Sequence, residues 1–85
     1  MDAQLDYLDA IAIRAAKGDT AGVSVLSTGE RLYVALAANS AEMLQAQGYT
    51  VAEALARLGP DWTAQLIRRW QYRDDTQKFE LPTSD

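Results

Sequence analysis

The chain has 85 residues, a net charge of −4 and 48% hydrophobic side chains, which leaves room for one domain with a barely sufficient core. It contains neither Cys nor His, and this removes disulfides, thiolate and imidazole metal ligands, cysteine nucleophiles and the commonest general base together. The acidic opening M-D-A-Q-L-D reverses a signal peptide's basic start and no apolar run spans a bilayer, so a cytoplasmic setting without membrane is expected.

Residues 2–17 read as an amphipathic helix with Leu5, Tyr7, Leu8, Ile11, Ala12 and Ala15 on one broad face. Asp2, Asp6 and Asp9 gather on the other side, toward the N-terminus that the helix dipole favours for negative charge. Arg14 and Lys17 lie toward the C-terminus, and Gly18 supplies a cap. Ile13 projects among the polar positions, either as a singly exposed apolar residue or as part of a partner-binding surface. The stretch G-D-T-A-G-V-S-V-L, from Gly18 to Leu26, reads as a loop whose valines tuck into the core. Its Gly18 and Gly22 lack the Lys-Ser/Thr ending of a phosphate-binding loop.

Ser27-Thr28-Gly29-Glu30 is a capping box, and it opens the most apolar helix of the chain. From Leu32 to Ala38 the sequence is apolar all round, as suits a central helix packed on several sides. Asn39 and Ser40 interrupt this run, and Asn39 with Glu42 offers a second start. One helix over 28–47 is preferred to two, because Met43 continues the face of Leu32 and Leu36. Gly48 closes it.

Thr50 and Glu53 form another capping box, and Glu53 precedes Arg57 by the four residues that favour a helical ion pair. Gly59 and Pro60 break this short helix, and Asp61 offers an N-cap or a first-turn carboxylate to the next. On that last helix Trp62, Leu66 and Trp70 recur every four residues with Ile67 beside them, and Gln65, Arg68, Arg69 and Tyr72 occupy the other side. After Arg73 the chain turns to D-D-T-Q-K-F-E-L-P-T-S-D, which reads as a frayed acidic tail.

These elements predict an all-α fold: a small compact bundle of about four helices, near 3–17, 28–47, 51–58 and 61–73. Residues 1–73 form the domain and 74–85 the tail. The expected core is Leu5, Leu8, Ile11, Leu32, Leu36, Met43, Leu55, Leu58, Leu66 and Trp70.

Catalytic chemistry has poor candidates. Ser24, Ser27 and Ser40 have no His to activate them, and Lys17 sits at a helix end with no apolar pocket implied. The ridge of Asp2, Asp6 and Asp9 reads as a solvated face rather than a metal site, so no metal and no cofactor is expected; the competing account has Arg68 and Arg69 reach these carboxylates across the bundle. Charge is more informative. Residues 57–73 carry Arg57, Arg68, Arg69 and Arg73 against Asp61, a basic stretch between two acidic ones. Arg and aromatic side chains dominate interface hot spots. The reading is therefore a non-enzymatic protein-interaction module, such as an adaptor, inhibitor or regulatory subunit. Its partner-binding residues are Arg68, Arg69, Tyr72, Arg73, Gln65 and Ile13, and its partner is another protein or a second copy of the chain.

An alternative comes from T-V-A-E-A-L-A-R-L-G followed by L-I-R-R-W, which resembles the helix-turn-helix of MerR-like and excisionase-type regulators over residues 50–70. The resemblance implies DNA binding, with Arg68 and Arg69 as phosphate or base contacts. The chain departs from that pattern in its acidic tail, the absence of a strand-rich wing, and about two extra residues before Arg-Arg-Trp.

Overall fold

The computed structural model describes residues 2–71, an all-helical bundle with no strand among the described residues. It contains α1 (Asp2–Ala16), α2 (Thr28–Ala37), α3 (Ala41–Ala46), α4 (Val51–Leu58) and α5 (Pro60–Trp70), with a 3₁₀ turn at Ala21–Val23. The expected acidic tail over 74–85 lies outside the described residues.

α1 buries Leu5, Leu8, Ile11 and Ala12, as its spacing requires. Tyr7 departs from the expectation. It sits at the edge of the apolar arc and is 53% exposed, while Ile13 stands out of the core on the opposite flank. Gly18 ends the helix with φ +100, and the bonds from Gly18 N to Ala15 O and from Asp19 N to Arg14 O satisfy its last carbonyls. In the following loop only one of the two valines tucks in. Val23 is buried and Val25 is 77% exposed, because the chain makes a 3₁₀ turn here instead of an extended segment. Residues three apart eclipse in such a turn, so Leu26 joins Val23 in the core.

The stretch 28–47 is two helices, against the single helix expected. Asn39 takes the left-handed conformation with φ +56, and Asn39 N and Ser40 N bond back to Leu36 O and Ala35 O. That is a Schellman ending, with Asn in the position glycine usually fills. Ser40, not Asn39, then caps α3 by accepting from Met43 N. Both predicted capping boxes form, Ser27 with Glu30 and Thr50 with Glu53. Asp61 lies in the first turn of α5, behind Pro60.

α2 is the central element and packs against every other α-helix. The largest fully buried side chains, Tyr33, Leu5, Leu8, Ile11, Leu32 and Val34, all come from α1 and α2. At about 1.5–3 kcal/mol for each fully buried aliphatic or aromatic side chain, this pair supplies most of the apolar stabilisation. Of the expected core, Leu5, Leu8, Ile11, Leu32 and Leu66 are buried, while Leu36, Met43, Leu55, Leu58 and Trp70 are half-buried at its margin. Ala35 and Ala54 are fully buried together with Leu32 and Leu44, and their small side chains let α2 and α4 approach closely. α5 lies on α4 and α2. It buries Leu66 and sets the Trp62 ring edge-on to Tyr33, with centroids 5.7 Å apart at 84°.

Candidate functional site

The most developed polar cluster sits where α1, α2 and α5 meet. Asp9, on α1, is 4% exposed, the one charged residue among the buried positions described. A carboxylate in that setting needs donors for both oxygens, since an unpaired buried charge is costly. Tyr33 of α2 donates its hydroxyl to Asp9 Oδ1 at 2.7 Å, and Trp70 Nε1 of α5 donates to the same oxygen at 2.8 Å. Arg69 Nη1 donates to Asp9 Oδ2 at 2.9 Å and to Asp6 Oδ1 at 2.8 Å. Asp2 lies 3.6 Å from Arg69 Nη2.

Burial ranks these contacts. The side chains of Asp2 and Asp6 are 86% and 73% exposed, so water screens their attraction to Arg69. Those of Asp9 and Arg69 are 5% and 16% exposed, and their bond is the strong one. The hydrogen bonds that Arg69 donates to Asp6 and then Asp9 hold its guanidinium above its ordinary, already high, value. Burial, reinforced by the bond to Asp9, pushes the Tyr33 phenol up. Both oxygens of Asp9 are committed to donors, so the cluster works as a structural node. It ties the C-terminal half of α5 to α1 and fixes the rotation of α5 about its axis.

That rotation decides where the sequence-expected partner residues fall. Arg69 turns into the bundle, whereas the sequence placed it on the outer side with Arg68. Arg68 is exposed and has no hydrogen bond or ion pair among the described residues. Gln65 is half-buried on the flank of α5, and Ile13 stands exposed on α1. Tyr72 and Arg73 lie outside the described residues. Ile67, read as part of the apolar stripe, is 56% exposed and shares the outer face of α5 with Ala64 and Arg68. The structure thus separates Arg68 from Arg69 and brings Ile67 beside Arg68.

Sequence spacing alone does not join Asp9, Tyr33 and Trp70 into one site. Two signals pointed toward it: Arg69 has no acidic residue at i±3 or i±4 on its own helix, and a Trp facing a core needs an acceptor for its N–H.

Among the described residues no group of three His, Cys, Asp or Glu is placed to hold a metal ion. Arg69 occupies the acidic ridge instead. A cleft of about 500 Å³ opens between Gln4, Ser27, Glu30, Arg57, Leu58 and Trp62. Glu30, its one carboxylate, accepts from Ser27 N and Gln4 Nε2, and these bonds hold its carboxyl below the usual range. No described helix is long and apolar enough to cross a membrane. In comparisons with family models, curated proteins and solved structures, none matches this chain.

Proposed function

We propose that this chain is a non-enzymatic protein-interaction module of the cytoplasm, acting as an adaptor, inhibitor or regulatory subunit. Its contact surface is the outer face of α5. The observation that carries this reading is Ile67, 56% exposed on a well-packed helix, beside the exposed Arg68, which has no ion pair among the described residues. A large aliphatic side chain next to an exposed guanidinium combines an apolar anchor with a charge that selects an acidic partner. Missing Cys and His argue in the same direction, since they leave acid–base and nucleophilic chemistry without its usual groups. Ile13 and Gln65 are peripheral to this face, and Arg69 contributes by orienting α5 rather than by touching the partner.

The test pairs binding with stability. Ile67→Asp with Arg68→Glu should abolish retention of the partner from the native extract, because both apolar and ionic anchors are lost. The thermal midpoint should move by no more than about 0.5 kcal/mol equivalent, as for other surface changes. Retention by the double variant would refute the assignment of this face.

DNA binding through the α4–α5 pair is the second reading, favoured by the capped α4, the one-residue joint at Gly59 and the outward Arg68. It is weakened by the inward turn of Arg69, which leaves Arg68 as the one arginine on the outer face of α5 among the described residues. Titration against genomic DNA at low salt separates the two. A helix-turn-helix protein binds with a steep salt dependence, and a protein-interaction module gives a flat response.

A further inference from the structure

With Leu66, Arg69 and Trp70 turned into the bundle, the outer side of α5 carries a pattern of its own. Its exposed positions are Pro60, Asp61, Ala64, Ile67 and Arg68, continued by Gln71 just past the helix end, while every other residue of α5 is buried or half-buried. Pro60, Ala64, Ile67 and Gln71 follow one another at four, three and four positions, the spacing of a seam that meets another helix. Asp61 and Arg68 flank this seam on one and the same edge, seven positions apart. Neither has an ion pair among the described residues.

From this arrangement we propose that the outer face of α5 receives the α5 of a second copy of this chain, packed antiparallel about a two-fold axis. The proposal rests on this face being the contact surface and names its occupant. Charge complementarity selects it. Reversing the second helix sets Ala64 of each copy against Ile67 of the other and brings Asp61 of each to Arg68 of the other, so one surface satisfies itself twice. A parallel copy instead turns the charged edge toward the side that holds Thr63 and Trp70, which its own bundle covers. A uniformly acidic partner meets Asp61 in the same row as Arg68 and is repelled there. The small side chain of Ala64 lets the two axes approach closely. Contact along a single helix of 11 residues buries less than about 1,200 Å² in all, which is the range of weak, reversible association.

The test is sedimentation equilibrium of the full chain, from micromolar to millimolar at low salt, where wild type should show a monomer–dimer equilibrium. Arg68→Asp alone opposes carboxylates twice per dimer, and Asp61→Arg alone opposes guanidiniums twice. Each should weaken self-association about tenfold or more. An equimolar mixture of the two variants should recover it, because every contact across the axis then joins an aspartate to an arginine. Association that returns in the mixture and is lost in each variant alone establishes the antiparallel pairing. A dimer that either variant leaves intact overturns it, as does a mixture that stays monomeric. Wild type that is monomeric throughout the range also overturns it, and retention of a partner from the extract then reads separately whether the face serves a different protein. Should Asp61→Arg fail to fold, Ile67→Asp takes its place: association kept by that variant overturns the proposal, and association lost supports it.

Discussion

Replacing Arg69 by alanine removes the cation from the α1–α5 node and leaves Asp9 in place. The exposed partners contribute little to the expected loss, because Asp2 and Asp6 stand mostly in water, where a pair is worth roughly 0–1 kcal/mol. The bond to Asp9 is buried on both sides. Breaking such a pair by deleting one member costs about 3–5 kcal/mol when the other is left uncompensated. Here Tyr33 and Trp70 still donate to the carboxylate, so the cost sits lower, at about 2–4 kcal/mol. In a domain of this size that lowers the midpoint of a circular-dichroism melt by roughly 10–25 °C. Arg68→Ala is the internal control and should stay within about 0.5 kcal/mol of wild type. A double-mutant cycle with Asp9→Asn should return a coupling of about 2 kcal/mol, since both single variants break the same bond. Equal melting of the Arg68 and Arg69 variants, or additivity in the cycle, would refute the assignment of a buried anchoring pair.

Leu32→Ala should cost about 2–5 kcal/mol in denaturant unfolding, whereas Leu36→Ala, at the margin of the core, should cost clearly less; the reverse order would mean α2 is rotated. Thr50→Ala should cost about 1 kcal/mol by freeing the Glu53 N–H, and Thr50→Ser should restore most of it in the same melts. Alkaline stability should depend on Tyr33. Its folded-state value lies above the unfolded one near ~10, so its contribution is complete below that pH and is lost as pH rises toward the folded value. Absorbance at 295 nm should show Tyr33 ionising together with loss of the helical signal, and Tyr33→Phe should remove that coupling; independent ionisation at the ordinary tyrosine pH would contradict its burial against Asp9.

Most local structure was legible because it is written in adjacent residues. The Ser27–Glu30 and Thr50–Glu53 boxes each declare a helix start within four positions, and both form. Leu5, Leu8 and Ile11 repeat at helical spacing on one face and are buried. The run from Leu32 to Ala38 was legible as central but not as oriented, since a stretch apolar all round carries no period to choose a face. Tyr33 therefore escaped the expected core although it is fully buried. The break at Asn39 is half legible: Asn39 and Ser40 interrupt the apolar run, but Met43 continues the face of Leu36, and the left-handed asparagine that ends α2 shows only in the backbone. Asp9 was legible as a carboxylate within reach of the arginines, but its burial was not, for a different reason. It sits at the boundary of the acidic arc of α1, and the donors that bury it lie 24, 60 and 61 residues away.

The placement of Arg69 changes what a basic helix means in this chain. A net positive stretch from Arg57 to Arg73 invites the inference of an anionic partner, and two adjacent arginines seem to strengthen it. Successive helical residues point about 100° apart, however, so Arg68 and Arg69 cannot both face outward from a helix that buries Leu66. One must turn toward the bundle, and the acidic ridge of α1 is there to receive it. The charge available to a partner on α5 is thus smaller than the sequence count by one arginine. What Arg69 gives instead is orientation: with Asp9 and Trp70 fixed, the helix cannot rotate, and Ile67 and Arg68 are held in solvent at one face. On the proposed reading, stability and recognition fall to neighbouring side chains one position apart, separable by single substitutions.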